Sequence, residues 1–177
     1  MDVQVGVMAE SWDAARVIEK AARAVARARA AGVPVIWVQH ESDELPRDSS
    51  YRQLVPELAP LPAEGRVYNQ YPSAFEATDL EAGLAAERAT HIVLAGAQTN
   101  WCIRATAYAA LHKGYDLTLL GDAHTTASIK IEDRSKVEAA GIVKDLDVAM
   151  KWLSYPGRRN ATATVEGVDF SAAGGRN

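Results

Sequence analysis

Helical and strand-like hydrophobic patterns alternate along this chain. Apolar residues recur at helical spacing between Ser11, a candidate N-cap, and Gly32, a candidate stop, and the short apolar run PVIWVQH at 34–40 follows as a strand. Further predicted strands lie at 66–71, 91–97, 115–122 and 161–170, and further predicted helices at 78–88, 99–114 and 135–153. This alternation predicts an α/β protein, a three-layer Rossmann-like fold with a mostly parallel sheet flanked by helices on both faces.

The organisation of the chain is that of one domain. Residues 42–65 carry four prolines and many polar side chains, so they are predicted to form a long loop, a kind of segment that is often functional. Thr78 and Glu81 have the spacing of a capping box at the start of the helix at 78–88. We expect a single domain over 1–170 and a loose tail at 171–177.

Composition excludes several classes of function. The chain has 177 residues, 48% of them hydrophobic and 24% charged, with a formal net charge of −4. It is not basic enough to suggest a nucleic-acid partner, and no apolar run approaches the roughly 18 residues of a membrane span. We therefore expect a cytoplasmic protein, and the arginine-rich helix face around Arg23, Arg27 and Arg29 is assigned to solvent.

Cys102 is the single cysteine of the chain. It follows a predicted strand end and a glycine, and it falls in the first turn of the next predicted helix. Unpaired amides and the helix dipole favour an anion there, which predicts a lowered thiol pKa and a nucleophilic role. The alternative is that Cys102 is a buried small hydrophobe, since a lone cysteine beside apolar residues usually is.

The run VLAGAQTNWCIRATAYAALHKGYDLTLLGDAHTT resembles the cysteine hydrolases of the isochorismatase-like superfamily, which includes nicotinamidases, carbamoylases and related amidases. MDVQ at residues 1–4 is similar to the Asp-x-Gln that ends the family's first strand. SAFEATDLEAGL at 73–84 is similar to its Ser-Ala-Phe segment. The resemblance covers nearly the whole chain.

The resemblance implies a set of roles for individual residues. Cys102 would be the nucleophile, and Asp2 would take its proton and pass it to the leaving amine. Backbone amides of Gln98 and Cys102 would hold the oxyanion, with the Ala97–Gln98 peptide bond cis. The implied function is hydrolysis of a small amide or related carbon–nitrogen bond through a thioester acyl-enzyme, without a cofactor, in a homodimer or homotetramer.

Two departures from the family pattern leave an alternative open. Asn69 stands where the family has its catalytic lysine, so the chain could instead be a weakened or non-catalytic relative that acts in binding or assembly. Relatives also run a strand into the aspartate, whereas only Met1 precedes Asp2 here. We expect either a truncated chain or a start assigned to an internal methionine. A second hypothesis gives the missing lysine charge to the α-amino group of Met1.

The remaining site candidates are side chains that could line a pocket. They are Trp101, Phe75, Tyr71, Gln4, His40 and His124. Phe75 and Tyr71 could equally be core aromatics, and Gln4 is expected to brace Asp2. The loop after the second strand lacks the Asp-x-His pattern of zinc-binding relatives, so no metal is predicted.

Overall fold

The computed structural model describes residues 1–43, 45–46 and 48–170, and it has the predicted α/β architecture. The helices are α1 (Val5–Met8), α2 (Ala14–Ala30), α3 (Leu80–Ala86), α4 (Arg104–His112) and α5 (Ala139–Trp152). The strands are β1 (Ile36–His40), β2 (Gly65–Asn69), β3 (His91–Ala97), β4 (Asp116–Thr125), β5 (Ile129–Lys130), β6 (Lys136–Val137) and β7 (Asn160–Ala163). A 3-10 turn spans Ser50–Arg52 and a π-helical turn spans Thr99–Ile103. The predicted tail at 171–177 lies outside the described residues.

The main strands run parallel in two groups that the first residues of the chain connect. β1 pairs with β2, while β4 pairs with β3 on one side and β7 on the other. Between β1 and β3, the amide of Asp2 donates to the carbonyl of Val38 at 2.8 Å, and the amide of Ala97 donates to the carbonyl of Met1 at 3.1 Å. Asp2 therefore lies near the carboxyl ends of β1 and β3, where α/β sheets usually bind their ligands.

Gly96 is the residue that allows this close approach of Met1 to β3. Its φ of 128° lies in a region that side chains rarely adopt, and a Cβ added there would come within 1.8 Å of the Met1 carbonyl oxygen. Any other residue would push Met1 and Asp2 away from β3.

Helices cover both faces of the sheet, as predicted. On one face α4 and α5 pack on β3 and β4, with Ile103, Leu111, Leu119 and Leu146 fully buried. On the same face α3 packs on β1 and β2. α2 covers the other face with small residues such as Ala24. No helix among the residues that the structure describes is long and apolar enough to span a bilayer.

Several helix starts differ from the sequence prediction. Asp13, and not Ser11, precedes α2, because the Ser11 hydroxyl donates to a carbonyl of α1. The hydroxyl of Thr78 accepts the amide of Leu80, but Glu81 forms an ion pair with a lysine, so the reciprocal capping box is absent at this helix. The β5–β6 hairpin delays the start of α5.

The basic face of α2 is only partly free in solvent, because the Arg23 side chain is 58% exposed whereas Arg27 and Arg29 contact other segments of the chain. Lys20 pairs with Glu166 at 2.8 Å, and Arg23 pairs with the same carboxylate at 3.1 Å. Arg27 donates to the carbonyl of Val168 at 3.1 Å. These contacts fasten the segment after β7 to α2, so the basic residues have a structural role.

Candidate active site

A cavity of about 460 Å³ opens at the carboxyl ends of β1 and β3. It brings together five of the residues singled out in the sequence, which are Asp2, His40, Gln98, Trp101 and Cys102. Its other lining residues come from α1, from the long loop after β1 and from the turn after β2: Gly6, Val7, Ser42, Leu45, Tyr51 and Pro72. The cavity is thus mostly apolar with a few placed polar groups, as ligand sites usually are.

The turn that carries Cys102 connects β3 to α4. The peptide bond between Ala97 and Gln98 is cis, and the π-helical turn begins at the next residue. The carbonyl of Gln98 accepts the amides of Trp101 and Ile103, both at 3.1 Å. A backbone hydrogen bond from Gln98 also reaches the Cys102 thiol. The turn therefore places the thiol beside the amides that the family resemblance assigns to the oxyanion.

Asp2 is a buried carboxyl with few polar contacts. Its side chain is 1% exposed, and neither oxygen has a hydrogen-bond partner of ordinary geometry among the described residues. Its φ of 49° is uncommon for a residue with a side chain, and such conformations cluster at functional sites. Burial raises the pKa of Asp2 to about 7, although the Met1 ammonium and the Cys102 thiol both act to lower it.

The pKa of Cys102 is raised above its ordinary value, so the prediction of a lowered pKa is wrong. Burial is the largest cause, and the negative charge of Asp2 adds to it. Neither the burial of the thiol nor the charge of Asp2 can be read from the position of Cys102 at a helix start. At rest the site therefore holds a thiol next to a carboxyl of pKa about 7. Such a pair can form a thiolate by passing the proton to the carboxylate as the sulfur attacks.

The α-amino group of Met1 lies behind Asp2 in the sheet. It is buried and donates to the carbonyl of Ala95 at 3.0 Å. Burial lowers its pKa, while the charges of Asp2 and Cys102 act to raise it. A lowered pKa disfavours the positive charge that the second hypothesis places at this position.

Asn69 is buried at the carboxyl end of β2 and does not line the cavity. Its Nδ2 donates to the carbonyl of Tyr71 at 2.7 Å, and its Oδ1 has no hydrogen-bond partner among the residues that the structure describes. The asparagine is thus turned toward its own loop. It supplies no charge that could replace the lysine of the family.

Four pocket candidates do not line this cavity. Phe75 stacks with Tyr115 and packs against the core, because its place before α3 points it into the helix layer. Tyr71 is half exposed outside the cavity. His124 is fully buried below the site, with both ring nitrogens hydrogen bonded. Gln4, the fourth, is fully buried beside β1.

Gln4 was expected to brace Asp2, but it hydrogen bonds to the backbone of His40 instead. Its Nε2 donates to the carbonyl of His40 at 3.0 Å, and its Oε1 accepts the amide of the same residue at 2.7 Å. The His40 ring lines the cavity, and its Nδ1 is buried without a hydrogen-bond partner in the described part of the chain. Burial lowers the pKa of His40, which favours a neutral imidazole facing the ligand.

The sequence patterns did not identify the apolar lining residues Val7, Leu45 and Tyr51. The signal for two of them was the unusual length of the 42–65 loop, but no periodicity indicated which of its side chains turn inward. Within the part of the chain that the structure describes, no cluster of three histidine, cysteine, aspartate or glutamate side chains is placed to hold a metal ion.

Comparisons with known proteins give this site a family context. The chain is 32% identical over 121 residues to a streptothricin hydrolase of Streptomyces noursei, which covers 66% of this chain and 44% of that protein. It is 29% identical over 187 residues to the ureidoacrylate amidohydrolase RutB of Methylobacterium radiotolerans, which covers 85% of this chain and 72% of that protein.

Solved structures show the same fold. The structure of an isochorismatase from Pseudomonas putida KT2440 superposes with a TM-score of 0.84 at 23% identity, over 93% of this chain and 85% of that chain. The family model of the isochorismatase domain matches residues 1–144, a match that includes Asp2, Asn69 and Cys102. The chain therefore belongs to the isochorismatase family of hydrolases.

Proposed function

We propose that this protein hydrolyses a small amide or a related carbon–nitrogen bond through a thioester on Cys102. One observation carries the proposal: Cys102 and the buried carboxyl of Asp2 line the same cavity, and the pKa of Asp2 is raised to about 7. A general base is most effective when its pKa lies near the working pH.

The reaction follows from this pair. The Cys102 sulfur attacks the carbonyl carbon while its proton passes to the Asp2 carboxylate, which gives a tetrahedral intermediate. Asp2 then protonates the leaving nitrogen, the carbon–nitrogen bond breaks, and a thioester and a free amine or ammonia remain. A water molecule gives a proton to Asp2 and attacks the thioester carbon. Return of that proton to sulfur releases a carboxylic or carbamic acid and restores the thiol.

The oxyanion of each tetrahedral intermediate needs donors that are already in place. In this proposal the backbone amides of Gln98 and Cys102 supply them, since the turn places both residues at the cavity. Removal of one such donor typically costs roughly a hundredfold in rate. Trp101, which is 56% exposed at the rim, would contact the substituent of the substrate.

Two relatives support the reaction class by their names, one a hydrolase and the other an amidohydrolase. Neither name transfers a substrate to this chain. The cavity favours a small substrate with an apolar part, because Val7, Leu45 and Tyr51 are among its lining residues. The cytoplasmic location and the homodimer or homotetramer stay predictions of the sequence and its resemblance.

The test combines a substrate panel with detection of the intermediate. The protein is incubated with small amides, ureido compounds and activated esters, and intact mass spectrometry follows adducts on the single cysteine. We expect a transient, hydroxylamine-sensitive acyl adduct together with release of amine or ammonia. Equal turnover by Cys102→Ala would overturn the thioester mechanism.

A second candidate function rests on Asn69. Its buried, uncharged amide supports a weakened or non-catalytic relative that binds a small molecule in the same cavity. Asn69→Lys separates the two candidates. A large gain in acyl-adduct formation favours a weakened enzyme. A variant that stays inert over the whole panel while the protein still binds a panel member favours the binder.

A further inference from the structure

His124 forms a buried relay between α5 and the turn that carries Cys102. Its Nδ1 lies 2.9 Å from the hydroxyl oxygen of Thr99, and its Nε2 lies 3.2 Å from a carboxylate oxygen of Asp147. Both His124 and Thr99 are fully buried, and none of the three residues lines the cavity. No step of the proposed reaction uses His124.

The chemistry of the three groups sets the direction of their hydrogen bonds. An ionised Asp147 can only accept, so Nε2 of His124 carries the hydrogen of that bond. In a neutral ring Nδ1 then accepts, and the hydroxyl of Thr99 donates to it. The order of carboxylate, imidazole and hydroxyl resembles a hydrolase triad. Because the Thr99 hydroxyl is sealed from the cavity, it cannot act as a nucleophile on a bound substrate.

Thr99 lies in the turn that carries the two amides assigned to the oxyanion. It follows Gln98 directly and is the first residue of the π-helical turn that ends at Ile103. The same stretch is held a second time, since the hydroxyl of Thr126 donates to the Asn100 side chain at 2.5 Å. Residues at and just after the end of β4 therefore hydrogen bond to Thr99 and Asn100, which lie between the two amides assigned to the oxyanion.

Asp147 fixes the far end of the relay. Its carboxylate lies over Gly121 of β4, where an added Cβ would come within 2.8 Å of Oδ1. The lack of a side chain at position 121 thus leaves room for the carboxylate close to the strand that carries His124. Its side chain is 19% exposed, so the relay runs from near the protein surface to the buried turn.

We propose that His124, oriented by Asp147, is a positioning residue that fixes the Gln98–Cys102 turn through Thr99 and so keeps the oxyanion amides in place. This inference rests on the proposed function for its catalytic consequence. Fixed donors act without reorganisation during the reaction, and a misplacement of about 1 Å can cost roughly a hundredfold in rate.

The chain contains a matched control for this hydrogen bond. At the amino ends of β3 and β4, Nε2 of His91 lies 2.9 Å from the hydroxyl oxygen of Thr118, which is also buried. Thr99→Val and Thr118→Val therefore remove the same kind of histidine–threonine bond from the two ends of the sheet. Thr99→Ser restores the hydroxyl at the site.

Two reactions of Cys102 distinguish positioning from general stability. Acylation by p-nitrophenyl acetate passes through an oxyanion, whereas alkylation by iodoacetamide does not. We expect Thr99→Val to slow acylation by about ten- to a hundredfold and to change alkylation by less than about threefold. Thr99→Ser should recover most of the acylation rate, and Thr118→Val should leave the ratio of the two rates near that of the parent protein.

Hydrogen exchange of the backbone amides over 98–102 tests the same idea without any turnover. We expect faster exchange in this turn for Thr99→Val and, to a smaller extent, for Asp147→Ala, and no change there for Thr118→Val. An unchanged turn in both site variants overturns the positioning role. If the parent protein is alkylated but never acylated, the proposed function fails, while the exchange measurement still decides the relay.

Discussion

Two carboxylates at opposite ends of the parallel strands have opposite environments. Glu64, at the amino end of β2, accepts two hydrogen bonds from Arg29, one from the Trp37 indole and one from the amide of Leu61. These contacts lower its pKa to about 2. Asp2, near the carboxyl ends, has no partner of ordinary geometry and a pKa of about 7.

The difference separates a stabilising end of the sheet from the end that we propose is reactive. The Glu64 carboxylate, which accepts four hydrogen bonds, holds the loop before β2 against α2, and it has no proton to exchange near neutral pH. Ionising a carboxyl that is buried with few polar contacts costs stability, but such a group can accept a proton from a neighbouring thiol.

The largest expected effect is loss of turnover at the reactive end alone. We expect Asp2→Asn and Cys102→Ala each to lower kcat/KM by about a thousandfold or more, because each removes half of the nucleophile and base pair. Glu64→Gln, the matched change at the other end, should keep kcat/KM within about threefold at a temperature where it stays folded. Initial rates on any substrate found in the panel measure all three.

Glu64→Gln is expected to lower the free energy of unfolding by about 2 kcal/mol at pH 7. The pKa of this carboxyl falls from 4.5 to about 2 on folding, so its contribution is present above about pH 4.5 and disappears as the pH falls toward 2. Urea unfolding of both proteins at pH 7 and pH 3 checks this. A constant difference between them would exclude the linkage.

Asp2→Asn should change the free energy of unfolding in the opposite direction, with a gain of about 1 to 2 kcal/mol at pH 8. The folded carboxyl holds its proton up to about pH 7 against 3.8 for its ordinary value, so the stability of the parent protein falls as the pH rises between these values. Thermal unfolding at pH 5 and pH 8 tests it, and a variant that is less stable at pH 8 would contradict it.

The smallest effect is the pH dependence of the rate. If Asp2 is the base, kcat/KM should rise about tenfold per pH unit below about pH 7 and level off above it, as the carboxylate forms. Glu64→Gln should leave this midpoint in place. A profile that keeps rising to pH 9 would indicate that the thiol ionises on its own and that Asp2 is not the base.

Strong local patterns predicted much of the fold. The run HIVLAGA gave β3 with both of its ends, since it is apolar, short and bounded by polar residues. The predicted start of α2 was wrong because the Ser11 hydroxyl donates to the carbonyl of Val7 in α1, so that Asp13 precedes the helix. The β5–β6 hairpin was missed because its strands have two residues each.

Local motifs predicted some features of the candidate site, while others depend on contacts between distant parts of the sequence. Cys102 and Asp2 could be found because a recognisable motif surrounds each of them. The direction of the thiol pKa could not, since it depends on burial and on a carboxyl 100 positions away in the sequence. The relay through His124 is likewise long-range, because Thr99 and Asp147 approach the histidine from different elements.

The contacts between α2 and the segment after β7 have a consequence for biosynthesis. Lys20 and Arg23 leave the ribosome early, but their partner Glu166 follows more than 140 residues later. Asp2 is likewise made about a hundred residues before Cys102. During translation these ion pairs cannot form until Glu166 has been synthesised, and Asp2 cannot meet Cys102 until more than half of the protein has been made.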